Sequence, residues 1–245
     1  MVCYDTWRIM LMDDRLIKAD AIIFDVGNVL LTYSPERICT LLPEAVRAPL
    51  RDALFGPEYR WGAFDRGIES NEAIARRIAQ IAGLPDEWPQ IIHILHHFPE
   101  TMHPMPLSRL IPRLKAMGKR LYALTNFPEP SFSNACRIFP FLQQLDGAVV
   151  SAVEKLAKPD PAIFRLIAER YHLSPEKSLF IDDLLPNIQG AEKAGFQTWH
   201  YAGEDKFLNN FPKDREQMPP FLRLYMQRVH DSPQRNALIG RKDVP

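Results

Sequence analysis

Short apolar runs bounded by turn residues punctuate the chain: AIIF at 21–24, LYALT at 121–125, GAVVSA at 147–152, SLFID at 178–182 and FQTWHY at 196–201. Between the later runs the apolar positions change period, recurring every turn of a helix in SRLIPRLKAMG, PAIFRLIAERY and NIQGAEKAG. Compact apolar runs flanked by turn residues read as buried strands, and the longer period reads as amphipathic helix. Strands alternating with helices predict an α/β fold, a parallel sheet covered on both faces whose ligands gather at the carboxyl ends of its strands.

The stretch from about Ser34 to Met105 breaks this rhythm. It carries helical patterns such as NEAIARRIAQIAG and WPQIIHILHHF but no convincing strand. Ser34-Pro35-Glu36 supplies an N-cap hydroxyl followed by proline at the first helical position, so a helix is expected just after the first strand. A small helical domain at 34–105 is therefore predicted over the sheet edge, inserted into a discontinuous α/β core formed by 1–33 and 106–245. Within that core, residues 1–20 and 203–245 read as terminal extensions, the second containing FLRLYMQR as a helix before a charged finish.

A chain of 245 residues suffices for a main domain with such an insert. Thirty basic and thirty acidic residues leave no formal net charge. There is thus no global field to attract nucleic acid or an acidic membrane surface, and an anion has to be bound by a local site. Cys3, Cys39 and Cys136 are scattered and odd in number, which argues against a disulfide framework and for a reducing cytoplasm. The N-terminal MVCYDTWRIMLMDDRLIKAD has a short apolar stretch cut off by Asp13, Asp14 and Arg15, with no signal-peptide pattern. It reads as an extra strand, a docking arm, or an artefact of start-site choice with Met12 as the true beginning. No segment approaches the roughly 20 apolar residues of a membrane span. A cytoplasmic protein is expected, monomer or homodimer, binding neither nucleic acid nor membrane.

Candidate chemistry lies at the ends of the apolar runs. Asp25 follows AIIF and precedes Gly27-Asn28, so its carboxylate stands at a strand end, free to act as a nucleophile, to hold a hard cation, or merely to cap the turn. Thr125-Asn126 ends the second strand with a hydroxyl and an amide suited to a phosphate oxygen, or simply to a turn. Lys158 lies in KPDPAIF, where Asp160-Pro161 can start a helix; an ammonium held by proline turns can meet an anion, although lysine is more often a solvated surface residue. Asp182-Asp183 closes the fourth strand, with Asn187 one helical turn beyond. Two adjacent carboxylates there call for a cation, and Mg²⁺ shared with Asp25 would serve. Gathered in one pocket, these groups are what phosphoryl transfer requires.

With these residues in place, the sequence resembles the haloacid dehalogenase superfamily. Asp25 in IIFDVGNVLL looks like its nucleophile motif, Thr125 in LYALTN its second, Lys158 in AKPDPAIF its third, and Asp182-Asp183 in FIDDLLPN its fourth. The insert stands where one large subfamily carries a helical cap, and FDRGIESNEA is similar to a stretch such caps often contain. The resemblance covers about residues 20–202. It implies a Rossmann-like, doubly wound core, a phosphorylated small-molecule substrate and an aspartyl-phosphate formed on Asp25. By it, Thr125 and Lys158, with Asn126 beside them, hold the phosphoryl oxygens, and Mg²⁺ is bound by Asp25, Asp183 and the backbone carbonyl of Gly27. Asn28, Asn187 and Asp182 are auxiliary.

One departure stands out. Phosphatases of this superfamily usually carry a second Asp two residues after the nucleophile, where this chain has Gly27. That acid protonates the leaving oxygen, help worth about 10²–10⁴ in rate. Three readings follow. The protein is an Mg²⁺-dependent phosphatase of small phosphomonoesters, sugar phosphates first, with its proton from Asp182, a cap residue or water; or a metal-independent 2-haloacid dehalogenase; or a non-catalytic, phosphometabolite-binding regulator. The paired acids at 182–183 favour the first. In the insert, Trp61 and Phe64 beside Arg66 suggest a lid, with Arg66 as a substrate contact. His93, His96 and His97 share a helix spacing that could hold zinc, with His103 beyond, but no Cys or Glu-x-x-His accompanies them and a solvated face is the simpler reading.

Overall fold

The computed structural model describes residues 13–201. Five strands, β1 (Ala21–Phe24), β2 (Arg120–Thr125), β3 (Gly147–Val150), β4 (Ser178–Asp182) and β5 (Gln197–His200), form one sheet in the order β3-β2-β1-β4-β5. Every pairing is parallel, with Ile23 set between Tyr122 and Phe180. The order reverses at β1, so the crevice at the carboxyl ends of β1 and β4 is the topological switch point where doubly wound sheets bind ligands.

β1 is buried along its whole length. Alternate residues of the central strands, Ala21, Ile23, Tyr122, Leu124, Val149 and Phe180, meet Ile163, Phe164, Ile167, Ile188 and Ala191 on one face. Their neighbours Ile22, Phe24, Leu121 and Ala123 point the other way and are equally buried. Double-sided burial is the reason these strands read as continuous apolar runs.

The helices run in chain order as α1 (Asp14–Lys18), α2 (Pro35–Cys39), α3 (Glu44–Phe55), α4 (Gly62–Arg66), α5 (Asn71–Ile81), α6 (Trp88–His97), α7 (Ile111–Ala116), α8 (Ser131–Ile138), α9 (Ser151–Glu154), α10 (Pro161–Arg170) and α11 (Leu185–Lys193). Ser34 caps α2 as its sequence predicts, its hydroxyl accepting from the Arg37 N–H at 3.3 Å. Two expectations shift. SRLIPRLKAMG is not one helix: Pro106–Leu110 is a 3-10 turn and α7 begins at Ile111, which keeps Pro112 in a first turn where no N–H is needed. GAVVSA stops being strand at Val150, and Ser151 opens α9.

Between β1 and β2 the chain is helical, as its patterns predict, and it leaves and re-enters the sheet side by side. The Thr32 N–H donates to the His103 carbonyl at 2.9 Å and the Met105 N–H to the Leu30 carbonyl at 2.9 Å. Among the described residues no helix is long and apolar enough to cross a membrane. FLRLYMQR and the first twelve residues lie outside the described residues.

Candidate active site

The ladder between β1 and β4 runs one residue past β1, the Asp25 N–H donating to the Ile181 carbonyl at 2.8 Å. This sets Asp25 at the mouth of the switch-point crevice, and its Oδ1 accepts from the Val26 N–H at 2.7 Å. β2 ends on Thr125 and β4 on Asp182. Lys158 arrives from the loop before α10. Both polar atoms of the Asn126 side chain hold that loop, Oδ1 accepting from the Lys158 N–H at 2.9 Å and Nδ2 donating to the Lys158 carbonyl at 3.0 Å. Asp160 then caps α10, accepting from the Ala162 N–H at 2.8 Å.

The Lys158 Nζ lies 2.9 Å from Asp25 Oδ1 and 2.7 Å from Asp182 Oδ2. All three side chains are buried. Asp182 is saturated: its carboxylate also accepts from Asn187 Nδ2 at 3.0 and 3.1 Å and from the Leu184 N–H at 2.8 Å. Asp183, half-buried, accepts from Asn28 Nδ2 at 3.3 Å. Asn28 in turn takes the Tyr33 N–H on Oδ1 at 2.9 Å, from a left-handed backbone (φ 54°) that asparagine tolerates better than most residues.

The charges do not balance. The carboxylate oxygens of Asp25, Asp182 and Asp183 lie within 4.8 Å of one another, and one ammonium faces them. Burial pushes the Asp25 carboxyl up; Lys158 pulls it down, while Asp182 and Asp183 add to the rise, and the net is upward. Burial and the Asp182 charge raise Asp183 likewise. For Lys158, burial opposes the charge, but Asp182 and Asp25 outweigh it and hold the ammonium above the ordinary lysine value. With Asp182 bound by Lys158 and Asn187, Asp25 and Asp183 remain as all-oxygen donors, a set that fits a hard divalent cation.

One buried group lacks a partner among the described residues: the Thr125 hydroxyl, on a side chain with 1% exposure. A buried hydroxyl left unpaired costs about 1–3 kcal/mol. Asp25, Gly27, Asn28, Lys158 and Asp183 line one end of a cavity of about 360 Å³. Aromatic side chains form much of the remaining wall, with Tyr33, Tyr59, Trp61 and Phe98 from the segment after β1 and Phe127, next to Pro128, from the β2 loop.

The Asn126 carboxamide lines the cavity, as expected of a group near a phosphate oxygen, and also grips the Lys158 backbone. Several residues fall elsewhere than expected. Arg66 is exposed and outside the cavity lining, whereas its neighbour Asp65 lines it. The spacing of Trp61 and Asp65 held the clue, since residues four apart share a helix face and Arg66 lies about 100° further round. His93 and His96 are exposed, His97 pairs with Glu100 at 2.8 Å, and none belongs to a candidate metal cluster among the described residues.

A family model for haloacid dehalogenase-like hydrolases matches residues 19–195. A sesquiterpene phosphatase of Aspergillus oryzae is 28% identical over 182 residues, covering 74% of this chain and 88% of that protein. A phosphatase of phosphorylated carbohydrates from Thermotoga maritima is 25% identical over 196 residues, covering 73% and 82%. A haloacid dehalogenase family enzyme from Bacteroides thetaiotaomicron, solved with magnesium and inorganic phosphate, shares the fold at a TM-score of 0.61 and 23% identity, covering 76% of this chain and 96% of its own. With its strand-end acids, its buried lysine and a family match from residue 19 to residue 195, through β1 to β4, the chain belongs to the haloacid dehalogenase-like hydrolases.

Proposed function

We propose that the protein is an Mg²⁺-dependent phosphatase of small phosphomonoesters, with the segment 34–105 acting as a cap over the reacting groups. The observation that carries this reading is the cluster of buried Asp25, Lys158 and Asp182 with half-buried Asp183, three carboxylates against one ammonium, at the switch point of the sheet. Asp25 is the nucleophile, attacking phosphorus with the carboxylate oxygen that faces the cavity. The Lys158 ammonium and the Thr125 hydroxyl hold phosphoryl oxygens, which gives that hydroxyl its missing partner. Asn126 keeps Lys158 in place, while Asp182 and Asn187 hold its ammonium. Asp25, Asp183 and the Gly27 carbonyl would bind Mg²⁺, which supplies positive charge to the transferring phosphoryl group. The paired entry and exit of the segment at Leu30–Thr32 and His103–Met105 support its reading as a unit, and a closed cap would exclude water.

The wall away from the acids also bears on the substrate. Apart from Asp65 and the Tyr33 and Tyr59 hydroxyls, which bond to each other, it is built of aromatic rings, Pro128 and Leu184, and the Asn126 and Asn187 amides that reach it are engaged elsewhere. Few groups remain to hydrogen-bond the hydroxyls of a sugar, so an alcohol with an apolar body fits better than the sugar expected at first. The sesquiterpene phosphatase among the relatives supports the same choice.

A screen for phosphate release over terpenyl, alkyl, aryl and sugar monophosphates, with Mg²⁺ or chelator, beside Asp25→Asn, tests the reading. Release is expected to require both the ion and Asp25, and to be fastest on apolar esters. Activity indifferent to the ion and to Asp25→Asn would overturn the mechanism. Metal-independent chloride release from 2-haloacids would install the dehalogenase instead.

A further inference from the structure

Gly27 leaves a position beside the nucleophile without a carboxyl, although a side chain would fit there. A Cβ on Gly27 would meet nothing nearer than Tyr33 Cβ, at 3.7 Å. Asp65 lines the same cavity as the nucleophile. No group among the described residues hydrogen-bonds or ion-pairs with its carboxyl, while its backbone is firmly held. The Ser151 hydroxyl donates to the Asp65 carbonyl at 2.5 Å and accepts from the Phe127 N–H at 3.0 Å. On the other side of the residue, Gly67 lies so close to the Ala152 carbonyl that a Cβ there would come within 2.1 Å of its oxygen. A free carboxyl on a fixed backbone, sharing a cavity with the nucleophile, has the placement of a proton donor.

We propose that Asp65 is the general acid and base of this active site, in place of the carboxyl that Gly27 lacks. The inference rests on the phosphatase reading. As Asp25 bonds to phosphorus, the bond from phosphorus to the ester oxygen breaks. That oxygen keeps the electron pair and takes the Asp65 proton, so the alcohol leaves neutral. The Asp65 carboxylate then removes a proton from the water that attacks phosphorus, Asp25 is freed as a carboxylate, and phosphate departs. Atoms and charge balance with water as the second substrate.

The surroundings suit the role. Burial, reinforced by the Asp25 charge, pushes the Asp65 carboxyl up to about 8, against the pull of Lys158 and of Arg66 on its own helix. The other ionisable groups that feel its charge are Tyr33 and Tyr59, whose hydroxyls lie 2.9 Å apart and stay neutral. A carboxyl kept protonated in this way can donate at neutral pH.

The test follows alcohol release in the first turnover with Mg²⁺, using a nitrophenyl ester, which needs no proton on departure, and an alkyl ester, which does. Asp65→Asn is expected to slow the alkyl ester by about 10²–10⁴-fold, and the nitrophenyl ester about tenfold less or better. Equal losses on both esters, or none on either, would overturn the inference. A leaving-group series on the unaltered protein needs no variant: a shallow dependence on the acidity of the departing alcohol is expected, and a steep one excludes an acid. Failure of the unaltered protein to release phosphate from any ester would instead bring down the phosphatase reading and this inference with it.

Discussion

Lys158 is enclosed between Asp25 and Asp182, and among the described residues no other cation contacts either carboxylate. Removing one partner of a buried ion pair leaves an uncompensated charge, at a cost of about 3–5 kcal/mol. Lys158→Met, which keeps most of the side chain's length without its charge, is therefore expected to lower the unfolding free energy in urea by about that much as well as to abolish turnover. A loss under about 1 kcal/mol would mean that both acids are already neutral in the folded chain. The motif KPDP marks Lys158 as a candidate but not as buried, because its partners are distant in sequence. The same holds for Asp182: its position after SLFI is plain from the pattern, and its saturation by Lys158 and Asn187 is not.

At the scale of elements, α4 decides what the cavity wall contains. It ends at Gly67 in a left-handed conformation (φ 60°), pressed against the Ala152 carbonyl. Gly67→Ala meets both the left-handed penalty, about 1–2 kcal/mol, and a backbone collision that forces the turn away from Ala152. Trp61 and Asp65 move with that turn, so stability should fall by more than about 1 kcal/mol and kcat/KM should fall with it. Gly118→Ala is the control, because Gly118 has a similar φ of 76° but open space around it. It should lower stability modestly and leave kinetics alone; urea melts and steady-state rates on both variants make the comparison, and matched kinetic losses would show that the close contact at Gly67 is irrelevant. A helix of five residues is too short to display a period, which is why α4 hides in the sequence while α5, α6 and α10 do not.

For the whole molecule, the charge imbalance couples stability to pH and to the ion. Asp25, Asp65 and Asp183 all have raised carboxyl pKa values in the folded chain, Asp65 up to about 8. The folded chain therefore keeps protons that the unfolded chain has released, and stability falls as pH rises from the ordinary carboxylate range toward about 8. Acids held low by partners, such as Asp13, Asp146 and Glu154, act below that window. In chelator, the melting temperature is expected to drop between about pH 5 and about pH 8, and Mg²⁺ to raise it more at the higher pH, where its ligands are ionised. An ion effect that is absent, or larger at low pH, would contradict binding by Asp25 and Asp183. Apolar strands, turn punctuation and the acids that close β1 and β4 are written locally, by side-chain period and by the residue that ends each run, so the parallel core and most of its candidate chemistry can be read along the chain. Other features needed the fold: the lysine buried between two acids, the unpaired Thr125 hydroxyl, and Asp65 rather than Arg66 in the cavity. Each depends on how segments far apart in sequence meet, set by the order of strands around β1 and the packing of a five-residue helix against Ala152. No periodicity encodes such contacts, because they depend on which surfaces meet in space.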